Sequence, residues 1–173
     1  IGVEQPILDL VDSPNKSLRL AAVLVMRRWS HPDLKYFLTD EDEYIVLEAA
    51  RAINDDWSVE EALPDLASLL KNTQLQSEAL GRRVINAASR LGSPETLAWL
   101  VQFAQSDEIP LVLKVEAINA LSHWAEPSLL DRVDGRFRGP QKRDGELLKR
   151  HLKPMVARLD IENEMQVKVA LVG

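Results

Sequence analysis

Residues 19–34, RLAAVLVMRRWSHPDL, and residues 114–129, KVEAINALSHWAEPSL, align without a gap. Arg19 falls on Lys114, Ala22 on Ala117, Val23 on Ile118 and Met26 on Leu121. Trp29 then falls on Trp124, Pro32 on Pro127 and Leu34 on Leu129. Between them, VLEAARAINDDW (46–57) and RRVINAASRLGSP (82–94) restate the theme, small residues at helical spacing followed by a terminator. With Arg19, Val46, Arg82 and Lys114 as equivalent anchors, the unit recurs every ~27–36 residues, the length of a helix pair. A unit of that size cannot bury its apolar face alone, so neighbours must stack to make a core. The repeat therefore predicts an all-α fold, a right-handed α-α superhelix of about five helix pairs, with residues 1–173 as a single domain.

Composition agrees where it bears on fold. Aromatic residues are few, at 5%, while Leu and Ala are abundant, which favours helices over a β-sandwich. The chain has no cysteine, which removes disulfides, a thiolate nucleophile and thiolate metal ligands together. The longest apolar run, Leu20–Met26, is far too short to span a bilayer, and no signal or transit peptide is visible. The chain opens IGVEQPIL without an initiator Met and closes EMQVKVALVG inside an apolar helical pattern, as a piece of a longer polypeptide would. An exposed apolar end of a stack also predicts a further repeat or dimer contacts there.

The stretch PILDLVDSPNKSLRLAAVLVM (6–26) is similar to a HEAT repeat. It has a Pro-led first helix, a turn at Asp12-Ser13-Pro14 and a second helix opening Leu18-Arg19-x-Ala21-Ala22. The physics runs parallel to the likeness. Pro is tolerated near a helix start, Asp or Ser in the turn can cap the next helix, and paired alanines let helices approach closely. Later units depart from the pattern. Val46 stands at the Arg position and its turn is the acidic TDEDE (39–43), so a continuous Asp–Arg ladder is not expected.

Helices are expected near 4–12, 15–28, 32–38, 42–54, 59–71, 76–91, 94–106, 110–125 and 145–160, with a last one from about 163. Ser58 and Glu61 fit a capping box. Gly92-Ser93-Pro94 supplies a helix stop, a cap and a first-turn Pro in succession. Pro64 would break a helix interior, so the helix proper should begin near Ala62.

Candidate chemistry is sparse. His31, His123 and His151 lie in different repeats without a zinc-type partner at i+4, and read as cap or surface residues. Asp40-Glu41-Asp42-Glu43 lacks the Gly and distal Glu of a calcium loop and reads as a solvated helix start. Asp55-Asp56 and Glu60-Glu61 read as acids at a helix N-terminus rather than an acid–base pair. There is no Gly-rich phosphate loop, GxSxG or HExxH. No catalytic residue, cofactor or metal site is nominated. Trp29 and Trp124, each followed by x-x-Pro, are expected to close the ends of their helix pairs.

The repeat breaks after Trp124. From Arg132 to Lys153 there are eight Lys or Arg against three acids, a local charge of about +5 that leaves about −11 on the other residues. Gly135, Gly139, Pro140 and Gly145 keep the segment from continuing as a helix, so 134–145 reads as a long basic loop feeding a basic helix. Two roles stay open: a plain connector, or a docking surface on which Arg132, Arg136, Phe137, Arg138, Lys142 and Arg143 meet an acidic protein or another domain of the same polypeptide. The alternative function is a nucleic-acid-binding HEAT-like module using the basic 132–153 segment, which is disfavoured because only Phe137 interleaves with the cations and the other repeats are acidic.

A second resemblance covers roughly residues 15–145. The RLG at 90–92 and the pattern W-x-x-P-x-x-x-D-R-V-x-G-x-x-R, from Trp124, Pro127, Asp131, Arg132, Gly135 and Arg138, look like the helical region of large bacterial dehydrogenase-like proteins. In that family a quinoprotein-type β-propeller precedes HEAT-type repeats and a c-type haem domain follows. The resemblance implies an accessory, non-catalytic helical module, extracytoplasmic, that packs against or spaces redox domains. No CxxCH haem site lies in this segment.

Overall fold

A computed structural model describes residues 5–55, 59–72 and 74–158. These form α1 (Gln5–Leu8), α2 (Lys16–Trp29), α3 (Glu43–Asn54), α4 (Leu63–Ser68), α5 (Glu78–Leu91), α6 (Pro94–Gln105), α7 (Leu111–Ser122) and α8 (Gly145–Arg158). Three 3-10 segments, Pro32–Thr39, Glu60–Ala62 and Leu69–Lys71, complete the helical set. Among the described residues, the extended pairing is a single antiparallel bridge between Leu130 and Phe137. The all-α expectation holds. The chain divides into two compact units, Ile1–Leu66 and Ala67–Gly173.

In the first unit, α2 and α3, which carry the equivalent anchors Arg19 and Val46, pack directly on each other. The 3-10 segment Pro32–Thr39 packs on both, so it takes the place of a first helix in the pair. The expected helix at 32–38 is thus right in position and different in type. Ala22, Val23 and Met26 of α2 interleave with Leu34, Phe37, Ile45, Ala49 and Ile53 to make a closed apolar core. The helix expected over 4–12 shrinks to one turn, because the amides of Leu10, Val11 and Ser13 each bond three residues back. The cap of α2 is Asn15, whose side chain accepts from the Ser17 amide at 2.9 Å, not Asp12 or Ser13. Ser13 Oγ instead accepts from the Asn15 amide and holds the turn.

In the second unit, α5 and α7 carry the anchors Arg82 and Lys114 and again pack directly, while α6 packs on both and on α8. Gly81 makes that approach possible: a Cβ there would lie 2.6 Å from the Leu113 methyls. Gly92-Ser93-Pro94 behaves as its residue types require. Gly92 ends α5 in the left-handed region (φ 58°), and Ser93 and Thr96 form a reciprocal capping box with Pro94 at the start of α6.

Other details differ from expectation. The stretch 59–71 is 3-10, α and 3-10 in turn, with α4 opening at Leu63 so that Pro64 sits in its first turn. Asp55 follows the C-terminal end of α3 rather than preceding a helix. Gly145 opens α8 instead of holding the loop away from helix. Ser58, Asp56 and the helix expected from 163 lie outside the described residues.

Candidate partner-docking site

Arginine–carboxylate pairing runs through both units but changes register. In the first, Arg19 donates through Nε and Nη2 to Asp40 at 2.8 and 3.1 Å, and through Nη1 to the Ser13 carbonyl. The Asp40 bond is the main cause that raises the Arg19 guanidinium above its ordinary value. Asp40 is therefore buried as a partner of Arg19, and Asp42 caps α3 by accepting from Tyr44 and Ile45. Glu41 and Glu43 of that acidic turn are exposed, as a solvated helix start should be, and the departure from expectation is the buried side chain of Asp40. In the second unit the acid sits on a helix. Glu116 of α7 accepts from Arg82 at 2.7 Å and from Arg132 at 3.0 Å.

The break at Trp124 is an ordered loop, His123–Asp144, built around Asp131. Its carboxylate is fully buried and accepts from Asn86 Nδ2 on α5 at 3.0 and 3.1 Å. It also accepts from the amides of Val133 and Asp134 and from Arg138 Nε. Burial pushes the Asp131 carboxyl up. The bonds from Asn86 and the two amides, with the charge of Arg138, outweigh it and leave the group below the usual carboxylate range. Around this anchor the backbone folds back on itself. The Asp131 amide donates to the Arg136 carbonyl, and the Arg138 amide donates to that of Leu129. The turn needs Gly135 at φ 73°.

Arg143 anchors the other end. Its guanidinium lies 5.3 Å from the Trp124 ring centroid and donates to the carbonyls of Trp124 and Arg90 and to the Gln141 side chain. Burial holds this guanidinium below its ordinary value. Trp124 is 2% exposed, as a ring closing a helix pair should be, and its Nε1 has no hydrogen-bond partner among the described residues. Trp29, its equivalent in the repeat, is 42% exposed.

The six residues singled out in the sequence thus divide. Arg138 bridges Asp131 and Asp134, and Arg143 is bound into the loop base. Arg132 pairs with Glu116 through Nε and is otherwise open to solvent. Arg136 is part-exposed beside Asp134, Lys142 is exposed with a loose approach to Glu126, and Phe137 is 69% exposed. Leu130, about half-exposed, lies opposite Phe137 in the 130–137 bridge, and Leu129, the residue before it, is half-exposed as well. Reading the sequence missed those two leucines, and also Asn86 and Glu116. The signal for Glu116 was available: Glu48 sits at the same repeat position and is buried too.

Behind the Leu130–Phe137 pair lies a cleft of about 270 Å³ between α5, the end of α7 and the loop. Asn86, Arg90, His123, Arg132, Arg138 and Arg143 are among its lining groups. Among the described residues no group of three His, Asp or Glu is placed to hold a metal, and no helix is long and apolar enough to cross a membrane.

A family model described as HEAT repeats matches residues 32–122, just over half of the chain. No curated protein and no solved structure gives a match.

Proposed function

The chain belongs to the HEAT-repeat family, and from that premise we propose that it is a non-catalytic scaffold that docks a protein surface on the loop between α7 and α8. Repeats of this family typically serve as protein-interaction scaffolds. The observation that carries the reading is the exposed Leu130–Phe137 pair, with half-exposed Leu129 beside it, on a turn bonded to buried Asp131. A connector has no need to present three large apolar side chains to water beside a ring of arginines. In this reading Arg138 and Arg143 build the platform, while Phe137 anchors the partner and Arg132, Arg136 and Lys142 meet its acids.

The setting we propose is a larger, dehydrogenase-like redox protein, in which this module contacts other domains of the same polypeptide. Its support is the Trp124-to-Arg138 pattern. Sequencing the gene on both sides of the segment tests that setting: an upstream propeller and a downstream CxxCH are expected, and an open reading frame lacking both removes it.

The docking reading is tested with Phe137→Ser in the full-length protein. Partners or domains that crosslink to the loop in the wild type should be lost, with the melting temperature unchanged. Retention of the same crosslinks at the same yield overturns it.

A further inference from the structure

The cleft behind the apolar pair suggests what kind of partner the loop takes. We propose that it is a carboxylate site: an acidic side chain of a protein partner enters it while an apolar neighbour of that side chain rests on Leu130 and Phe137. This rests on the docking reading and gives the partner its chemistry.

Charge comes first. Four arginines line the cleft, Arg90, Arg132, Arg138 and Arg143, against one carboxylate, Asp131. That carboxylate is already committed to Asn86, two amides and Arg138. Arg143, half-buried, contacts only carbonyls, an amide oxygen and a ring face, and among the described residues no carboxylate balances it. Arg132 uses Nε on Glu116, which leaves its terminal nitrogens without a hydrogen-bond partner among the described residues. A guanidinium with a free fork at the wall of a cationic cleft matches the planar carboxylate.

Size comes second. At about 270 Å³ the space falls near the low end of ligand pockets, which suits one or two side chains. The surroundings then separate acid types. Residues outside 132–153 carry about −11, which repels an extended polyanion but not a short peptide with its acids in the cleft. The rim is aliphatic and aromatic at Leu130 and Phe137, so an amphipathic acidic segment gains there what a phosphodiester chain does not.

The test uses the whole chain and fluorescence anisotropy with a short labelled peptide alternating glutamate and leucine. Its glutamine counterpart and a labelled single-stranded oligonucleotide serve as comparisons. Saturable binding of the glutamate peptide is expected, weakened about tenfold when glutamine replaces glutamate. Arg132→Gln should weaken it by a similar factor. Ser89→Glu places a carboxylate on the α5 wall of the cleft without removing any group that anchors the loop, and should abolish binding while leaving the melting temperature unchanged or higher.

Equal affinity for the two peptides, indifference to Ser89→Glu, tighter binding of the oligonucleotide, or no binding at all would each overturn the carboxylate assignment. The docking reading fails separately. If Phe137→Ser abolishes the native crosslinks while Ser89→Glu leaves them intact, docking stands and the acid site falls. If neither variant changes them, both fall.

Discussion

Asp131→Asn removes a charge from the base of the loop while keeping the shape of the side chain, and so isolates what the carboxylate does. One oxygen of Asp131 accepts from Asn86, Val133 and Asp134, and the other from Asn86 and Arg138. An asparagine can keep its carbonyl toward the two amides. Its NH2 must then face the NH2 of Asn86 and the Nε–H of Arg138, donor against donor. Leaving a buried donor unmatched costs roughly 1–3 kcal/mol. Asn86 can turn over and Arg138 can shift onto Asp134, so the net loss should be about 2–4 kcal/mol, among the larger effects of a single substitution. Urea unfolding followed by tryptophan fluorescence measures this, since Trp124 sits at the same loop base. The amides of Val133, Asp134 and Arg138 should lose hydrogen-exchange protection in the variant. The sign with pH follows from the carboxyl lying below its ordinary value. Its stabilisation is present above the unfolded carboxylate range, near pH 4, and disappears as pH falls through the lower folded value. Wild type and Asp131→Asn should therefore differ most near neutrality and converge in acid. A variant within about 0.5 kcal/mol of wild type at neutral pH, with those amides still protected, would refute the anchor.

The two tryptophans of the repeat should behave differently. Trp124→Ala should cost about 3–5 kcal/mol, and Trp29→Ala less than half of that, in paired denaturation curves. Gly81→Ala should destabilise by about 1–2 kcal/mol, because the overlap with Leu113 exceeds the gain in helix propensity. Adding Leu113→Ala to it should cost less than the two single changes together, which a double-mutant cycle reads. Phe137→Ser should leave stability within about 0.5 kcal/mol while removing the docking crosslinks, since a side chain this exposed supports nothing beneath it.

Periodicity and punctuation were local matters, and the sequence alone determined them. Small residues at helical spacing specified α2, α3, α5 and α7, and the anchors Arg19/Val46 and Arg82/Lys114 paired the helices that do pack. Gly92-Ser93-Pro94 specified its own turn because each residue's backbone preference is intrinsic. The basic segment was legible as a break because glycine, proline and like charges oppose a helix. Which of its cations are taken up by buried acids and carbonyls was not legible, since a guanidinium's role depends on what the fold brings to it from far along the chain. Asn86 lies on α5 and Glu116 on α7, and only packing places them beside Asp131 and Arg132. Tertiary structure likewise separated Trp29 from Trp124. The two share a sequence context, but the Arg143-bearing loop returns over the ring of Trp124, which is 2% exposed against 42% for Trp29. Burial is a property of neighbours distant in sequence, and a repeat pattern carries no information about them.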